Sequence, residues 1–113
     1  MKIYHNPRCS KSRQTLSLLI DNDVDPDIFE YLKTPPTEKE LTDLIKMLGI
    51  KPFDLLRRGE AIFKEKFKGK DLSDKEWISA MVMYPKLIER PIVIYGNEAR
   101  LGRPPERVLE LLG

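Results

Sequence analysis

Hydrophobic side chains recur with two different periods along this chain, and the change of period predicts the order of its elements. A short run at Lys2–Tyr4 predicts a first strand. From Lys11 to about Asn22 the apolar positions fall at helical spacing, which predicts the first helix. A second strand is predicted over Asp27–Tyr31. A strand, a helix and a strand in this order are typical of a right-handed parallel crossover.

The middle of the chain predicts helices only. Capping boxes, each a Thr or Ser followed three residues later by Glu, open two amphipathic runs at residues 37–40 and 73–76. The first of these runs ends at Gly49. Two shorter helical pieces are predicted between them, at residues 52–57 and 62–67.

The last third returns to the period of strands. Ile92–Tyr95 is a run of mostly β-branched residues and gives the strongest strand signal of the chain. A turn at Gly96-Asn97 and a short strand over Ala99–Gly102 predict a hairpin. A final helix is predicted from Pro104 onward. Since neither a linker nor a repeat interrupts this order, we predict one domain over residues 1–113.

Composition and charge restrict the classes of protein. The 113 residues are 41% hydrophobic, which suffices for one modest core. With 20 basic and 18 acidic residues the net charge is +2, so bulk charge indicates neither nucleic acid nor a membrane surface as a partner. The longest apolar stretch, around Leu18–Ile20, is too short to span a bilayer. We see no signal-peptide leader and expect a cytoplasmic protein.

Cys9, the only cysteine, lies where the first strand turns into the first helix. Helix N-termini leave backbone N–H groups unpaired and carry about half a positive charge. A thiolate gains from both, so a thiol ionises more readily there, and oxyanions bind in the same geometry. Cationic or titratable side chains crowd the same few residues: His5, Arg8, Lys11 and Arg13.

A lone cysteine is also often a small buried hydrophobe. Here the proline before Cys9, the serines after it and its basic neighbours argue against burial in an apolar core. The segment therefore predicts a reactive thiol beside an anion site, without identifying the substrate. A single cysteine forms no internal disulfide and leaves no set of zinc ligands, so we expect no bound metal or cofactor.

The order of elements, with a thiol at the first strand-to-helix turn, resembles the thioredoxin fold. The resemblance implies an α/β fold with a four-stranded mixed sheet flanked by helices, and with a helical insertion in the middle. In that fold a cis-proline precedes the third strand and faces the active-site cysteine. Pro91 immediately precedes Ile92–Tyr95, so we predict that the Arg90–Pro91 peptide bond is cis.

Three arginines stand beside predicted turns. Arg57 closes a short helix, Arg90 precedes Pro91, and Arg103 precedes Pro104. Each by itself is typical of a solvated surface arginine. Arg90 differs, because the backbone carries it toward the thiol if Pro91 faces Cys9. A guanidinium suits a tetrahedral oxyanion, since it offers paired donors and a permanent charge.

Four segments together resemble the glutaredoxin-linked arsenate reductase family: residues 4–13, 55–57, 89–93 and 102–104. They stand in the order and at the spacing of that family, and the similarity covers essentially the whole chain. The resemblance implies that Cys9 is the nucleophile and that His5 helps to keep the thiol ionised. It also implies a set of residues that bind the oxyanion or frame its loop: Arg57, Arg90, Arg103, Ser12 and Arg13.

The resemblance further implies the reaction and its partners. Arsenate is the substrate, glutathione is the co-substrate, glutaredoxin is the protein partner, and neither nucleic acid nor a membrane takes part. Reduction of As(V) to As(III) takes two electrons. One cysteine cannot supply them by forming a disulfide within this chain, so external thiols complete the cycle.

Two other classes of protein stay open. A glutathione-dependent thiol oxidoreductase with another substrate would need Cys9 and Pro91 but not Arg57 and Arg103. A regulator that resembles Spx and binds RNA polymerase is the second alternative. We expect such a regulator to carry a Cys-x-x-Cys switch, whereas this chain has serine at position 12.

Overall fold

A four-stranded mixed sheet organises the first part of the structure. A computed structural model describes residues Met1–Gly113. The strands are β1 Lys2–Tyr4, β2 Asp27–Phe29, β3 Ile92–Tyr95 and β4 Glu98–Leu101. They form one sheet in the order β2-β1-β3-β4. The chain divides into unit 1, which comprises residues 1–34 and 90–113 and holds the whole sheet, and unit 2, residues 35–89.

The two central strands of the sheet are buried on both faces. β1 pairs in parallel with β2 and antiparallel with β3, which pairs antiparallel with β4. Ile3 lies opposite Val93, and Tyr4 lies opposite Ile92; none of the four is more than 2% exposed. This arrangement confirms the predicted α/β thioredoxin-like fold with a four-stranded mixed sheet.

Two helices cover the face of the sheet that carries Ile3. Helix α1, Ser10–Asp21, connects β1 to β2, and a 3₁₀ helix over Pro105–Leu112 ends the chain. The 3₁₀ helix packs against α1 and β4. The apolar core between them consists of Ile3, Leu19, Val93, Val108 and Leu111. The helical pattern of the C-terminal segment was therefore read correctly, but its backbone has the tighter 3₁₀ winding.

Turns set the lengths of the outer strands. β2 ends at Phe29, two residues earlier than predicted, because the Glu30 carbonyl accepts the N–H groups of Lys33 and Thr34 at 3.0 and 3.1 Å. The hairpin between β3 and β4 turns at Gly96, whose φ is +62°. Glycine adopts this left-handed conformation without the steric cost that other residues incur.

Unit 2 is the predicted helical insertion. Its α-helices are α2 Glu38–Leu48, α3 Ala61–Lys66 and α4 Asp74–Met83, with 3₁₀ turns at Pro52–Leu55 and Pro85–Leu87. Both predicted capping boxes form, at the starts of α2 and α4. In the first, the Glu40 N–H donates to Thr37 Oγ1 at 3.1 Å, and the Thr37 N–H donates to Glu40 Oε1 at 3.0 Å.

An aromatic cluster forms much of the interior of unit 2. Trp77 is 4% exposed and lies against three phenylalanines, with ring centroids 5.5 Å from Phe53, 6.2 Å from Phe63 and 5.9 Å from Phe67. Aromatic pairs at these separations add to the stabilisation from burial. No helix of either unit has both the length and the apolar character needed to cross a membrane.

Candidate active site

The loop that presents Cys9 is shaped by the residue pair Asn6-Pro7. The Asn6 carbonyl accepts the Cys9 N–H at 3.0 Å, and Asn6 Oδ1 accepts the Arg8 N–H at 3.0 Å. Cys9 has extended backbone angles, φ −93° and ψ 123°, and is the N-cap of α1. The sequence analysis did not single out Asn6, although Asn-Pro is a known turn signal.

The Cys9 sulfur lies among hydrogen-bond donors. The backbone N–H groups of Ser12 and Lys11 and the side chain of Arg90 donate toward it. Burial raises the pKa of the Cys9 thiol, but these three donors and the positive charge of Arg90 outweigh burial, so the pKa is lowered overall. The thiolate is the form that these groups favour.

Cys9 is more buried than its polar sequence neighbours suggest, since only 8% of the residue is exposed. It belongs to the buried residues of the protein, although it is not a member of the cluster formed by Ile3, Leu19, Val93, Val108 and Leu111. The basic and polar sequence neighbours therefore did not predict the burial of Cys9.

We expect the rate of Cys9 alkylation by iodoacetamide to rise with pH around a midpoint below about 8.5, the usual thiol value. The same chain unfolded in urea is the control and gives the unperturbed midpoint. Because the folded pKa is lowered, the thiolate stabilises the folded state fully above the unfolded pKa, and this stabilisation is lost as pH falls through the folded pKa. Equal midpoints for folded and unfolded protein would contradict the assignment of the donors.

His5 and Ser12 form a buried pair behind the loop. His5 Nδ1 lies 2.6 Å from Ser12 Oγ, and the Asn6 N–H donates to the same Oγ at 3.0 Å. Ser12 is completely buried, and His5 is 6% exposed. If the Ser12 hydroxyl donates to Nδ1, the neutral ring carries its proton on Nε2; a ring with its proton on Nδ1 would instead donate to Oγ. The pair thereby fixes Ser12, whose backbone N–H reaches Cys9.

The surroundings of His5 favour its neutral form. Burial lowers the pKa of the imidazole; the carboxylate of Glu30 opposes this, and the charge of Arg13 adds to it. A neutral imidazole contributes no positive charge toward the thiolate. In this geometry His5 affects Cys9 indirectly. Its hydrogen bond holds Ser12, and the Ser12 backbone N–H donates toward the Cys9 sulfur.

Acidification tests the buried state of His5. Its folded pKa is lowered from 6.5, so the unfolded chain takes up the proton first as pH falls. The resulting stabilisation is fully present above the unfolded pKa and is lost as pH falls through the folded pKa. We expect urea denaturation to show a loss of unfolding free energy below about pH 6.5, and a smaller loss for His5→Asn. Identical pH profiles for the two proteins would contradict this.

Arg90 and Arg103 come together in front of β3. The Arg103 Nε donates to the Arg90 carbonyl at 2.8 Å. The Arg90–Pro91 peptide bond is cis, as predicted, and so is Arg103–Pro104, which the sequence analysis did not anticipate. The Arg90 side chain reaches Cys9 at the start of α1, whereas the Arg103 side chain contacts the Arg90 backbone.

Arg13 and Arg57 have neighbours of other kinds. The Arg13 side chain is exposed, and its Nη1 donates to the Pro7 carbonyl at 2.9 Å, which ties α1 to the loop. Arg57 belongs to unit 2, where Glu60 and Glu89 each lie 3.4 Å from its guanidinium. Two carboxylates of unit 2 therefore offset the positive charge of Arg57. No group of His, Cys, Asp and Glu side chains is arranged to hold a metal ion.

Comparisons with known proteins agree along the whole chain. The model of the ArsC family matches residues 4–111. An arsenate reductase of Haemophilus influenzae is 45% identical, over 97% of this chain and 97% of the relative. "Uncharacterized protein YfgD" of Escherichia coli K12 is 51% identical, over 100% of this chain and 97% of the relative. The solved arsenate reductase of Vibrio cholerae superposes with a TM-score of 0.94 at 47% identity, over 97% of this chain and 95% of that one.

Proposed function

Because this chain belongs to the ArsC family, we propose that it reduces arsenate to arsenite at Cys9, with glutathione and glutaredoxin as the reductants. One observation carries the proposal: the Cys9 sulfur receives two backbone N–H groups and the Arg90 side chain at the start of α1. That environment favours a thiolate and attracts anions, so nucleophile and oxyanion meet at one place.

The first step is attack of the Cys9 thiolate on arsenic. An As–S bond forms, and one arsenate oxygen leaves as water after taking up protons. The arginines offset the negative charge of the oxyanion and stabilise the charge that develops on the leaving oxygen. The contact of the Arg90 side chain with Cys9 supports this role for Arg90, and the hydrogen bond from Arg103 to the Arg90 carbonyl supports the inclusion of Arg103. The family resemblance adds Arg57, and Arg57→Ala tests that assignment separately.

External thiols supply the two electrons. Glutathione condenses with the Cys9–arsenic adduct, so that arsenic carries both sulfurs and a second water leaves. A glutaredoxin thiolate then attacks the glutathione sulfur, and the bond from that sulfur to arsenic breaks with its electron pair left on arsenic. Arsenic becomes As(III), and the two external thiols become one mixed disulfide. Hydrolysis then releases arsenite and the Cys9 thiol.

The decisive experiment measures arsenite formed from arsenate by the purified protein. We expect formation with glutathione and glutaredoxin together, and little with either one omitted. A folded sample that forms no arsenite under these conditions would overturn the proposal. Disulfide exchange in the same sample without arsenite formation would instead favour a thiol oxidoreductase with another substrate.

The expected location of this chemistry is the cytoplasm, where reduced thiols are maintained. Glutathione and glutaredoxin act only while their thiols are reduced. A Cys9 oxidised to a stable disulfide would likewise be inactive. The proposed reaction and the proposed location therefore depend on the same redox condition.

A further inference from the structure

Gly102 follows β4. It is the only glycine of this chain at which an added side chain would collide with neighbouring atoms. An ideal Cβ at this position would lie 2.7 Å from Thr15 Oγ1 and 2.8 Å from Pro91 Cγ. The other glycines have nothing within 4 Å of such an atom. The φ angle of Gly102 is not in the left-handed region, so backbone conformation does not demand glycine here.

Neither neighbour of Gly102 can move aside easily. Thr15 is completely buried within α1, and its Oγ1 has no hydrogen-bond partner, so packing alone holds it there. The Pro91 ring is covalently closed onto its own backbone and has little freedom. Relief of a clash at position 102 would therefore displace α1 or Pro91, in an interior that transmits such displacements.

α1 and Pro91 are each directly attached to a residue of the candidate active site. α1 begins directly after Cys9, and Pro91 is bonded to Arg90. The backbone joins them further, because the Gly102 N–H donates to the Pro91 carbonyl at 2.8 Å and Arg103 Nε donates to the Arg90 carbonyl at 2.8 Å. Residues 102 and 103 thus hold two successive carbonyls of the segment that brings Arg90 to the thiol.

We propose that Gly102 is a positioning residue: its missing side chain lets Thr15 and Pro91 both pack closely around position 102 and thereby seats Arg90 beside Cys9. The consequence for arsenate reduction rests on the proposed function. The consequence for the thiol does not, because ionisation of Cys9 is measured without arsenate.

The test is the pH dependence of Cys9 alkylation in Gly102→Ala. We expect the midpoint to rise by at least half of the rise that Arg90→Ala causes, since a displaced Arg90 no longer supports the thiolate. Each unit of that rise lowers the thiolate fraction below the midpoint about tenfold. Arsenite formation should fall about ten- to a hundredfold, as expected for a displaced catalytic contact.

Controls separate the clash from a general loss of stability. Gly59→Ala adds a methyl group in open space at a non-left-handed position and should leave the midpoint unchanged. Thr15→Ala combined with Gly102→Ala removes the atoms at 2.7 and 3.3 Å and should restore part of the wild-type midpoint. Thr15→Val combined with Gly102→Ala keeps the side-chain volume at position 15, so it should not restore the wild-type midpoint.

A folded Gly102→Ala protein with the wild-type alkylation midpoint would overturn the proposal. If Gly102→Ala does not fold, the double variant with Thr15→Ala decides. It should fold and alkylate with a midpoint nearer the wild-type value, and failure to fold would overturn the role assigned to Thr15. Absence of arsenite formation in the wild type would overturn the proposed function and leave the thiol test valid.

Discussion

We expect Cys9→Ser to abolish arsenite formation in the complete assay with glutathione and glutaredoxin. A serine hydroxyl stays protonated near neutral pH, so it neither attacks arsenic as an anion nor takes part in thiol exchange. The donors that lower the pKa of the Cys9 thiol cannot bring a hydroxyl into the same range. The measurement is arsenite released over time, at wild-type protein concentration.

The Cys9→Ser result requires that the variant is folded. Serine is close to cysteine in size, and the hydrogen-bond donors around position 9 can also donate to a hydroxyl, so the urea midpoint should be close to that of the wild type. Arsenite formation by a folded Cys9→Ser protein above the rate of the glutathione and glutaredoxin blank would disprove the role of Cys9 as nucleophile.

Arg90→Ala should lower the rate of arsenite formation by about 10²-fold or more, on the order of losing one transition-state charge contact. The same substitution removes a hydrogen bond and a positive charge from Cys9, so the pKa of the thiol should rise. Steady-state rates at several pH values measure the first effect, and alkylation rates measure the second. The two effects share one cause and should appear together.

Lysine at position 90 should restore only part of the activity, because a point charge replaces a two-pronged donor. Arg107→Ala is the matched control, since Arg107 is an exposed arginine of the same unit whose nearest carboxylate, on Glu110, is 3.9 Å away. It should leave both measurements unchanged. An Arg90→Ala protein with wild-type activity, or a loss of equal size in Arg107→Ala, would refute the assignment of Arg90.

Local signals explain why much of the fold could be predicted from the sequence. Both capping boxes depend on residues three apart, and both form. The turn at Gly96 and the strand Ile92–Tyr95 depend equally on neighbours in the chain. The position of Cys9 at the start of a helix follows from the same local information, so the backbone donors of Lys11 and Ser12 could be predicted from the sequence.

Contacts between distant segments explain what could not be predicted. Gly102 looked like an ordinary strand end, and only the approach of Thr15 and Pro91 shows why it has no side chain. Arg57 was expected to bind the oxyanion, and its carboxylate neighbours Glu60 and Glu89 were not predicted. His5 was expected to help keep the thiol ionised, but the sequence does not indicate that its hydrogen bond goes to Ser12. Neither periodicity nor spacing contains these partners.

The position of Cys9 at the N-cap of α1 couples the chemistry of the sulfur to the amide exchange of the helix. A thiolate supplies the negative charge that a helix N-terminus favours, an interaction of about 0.3–1 kcal/mol at exposed sites and more where partly buried. When the sulfur is alkylated by iodoacetamide, that charge is gone, and the N–H groups of Lys11 and Ser12 lose their anionic acceptor. Hydrogen exchange at these two amides should therefore be faster in the alkylated protein than in the thiolate form.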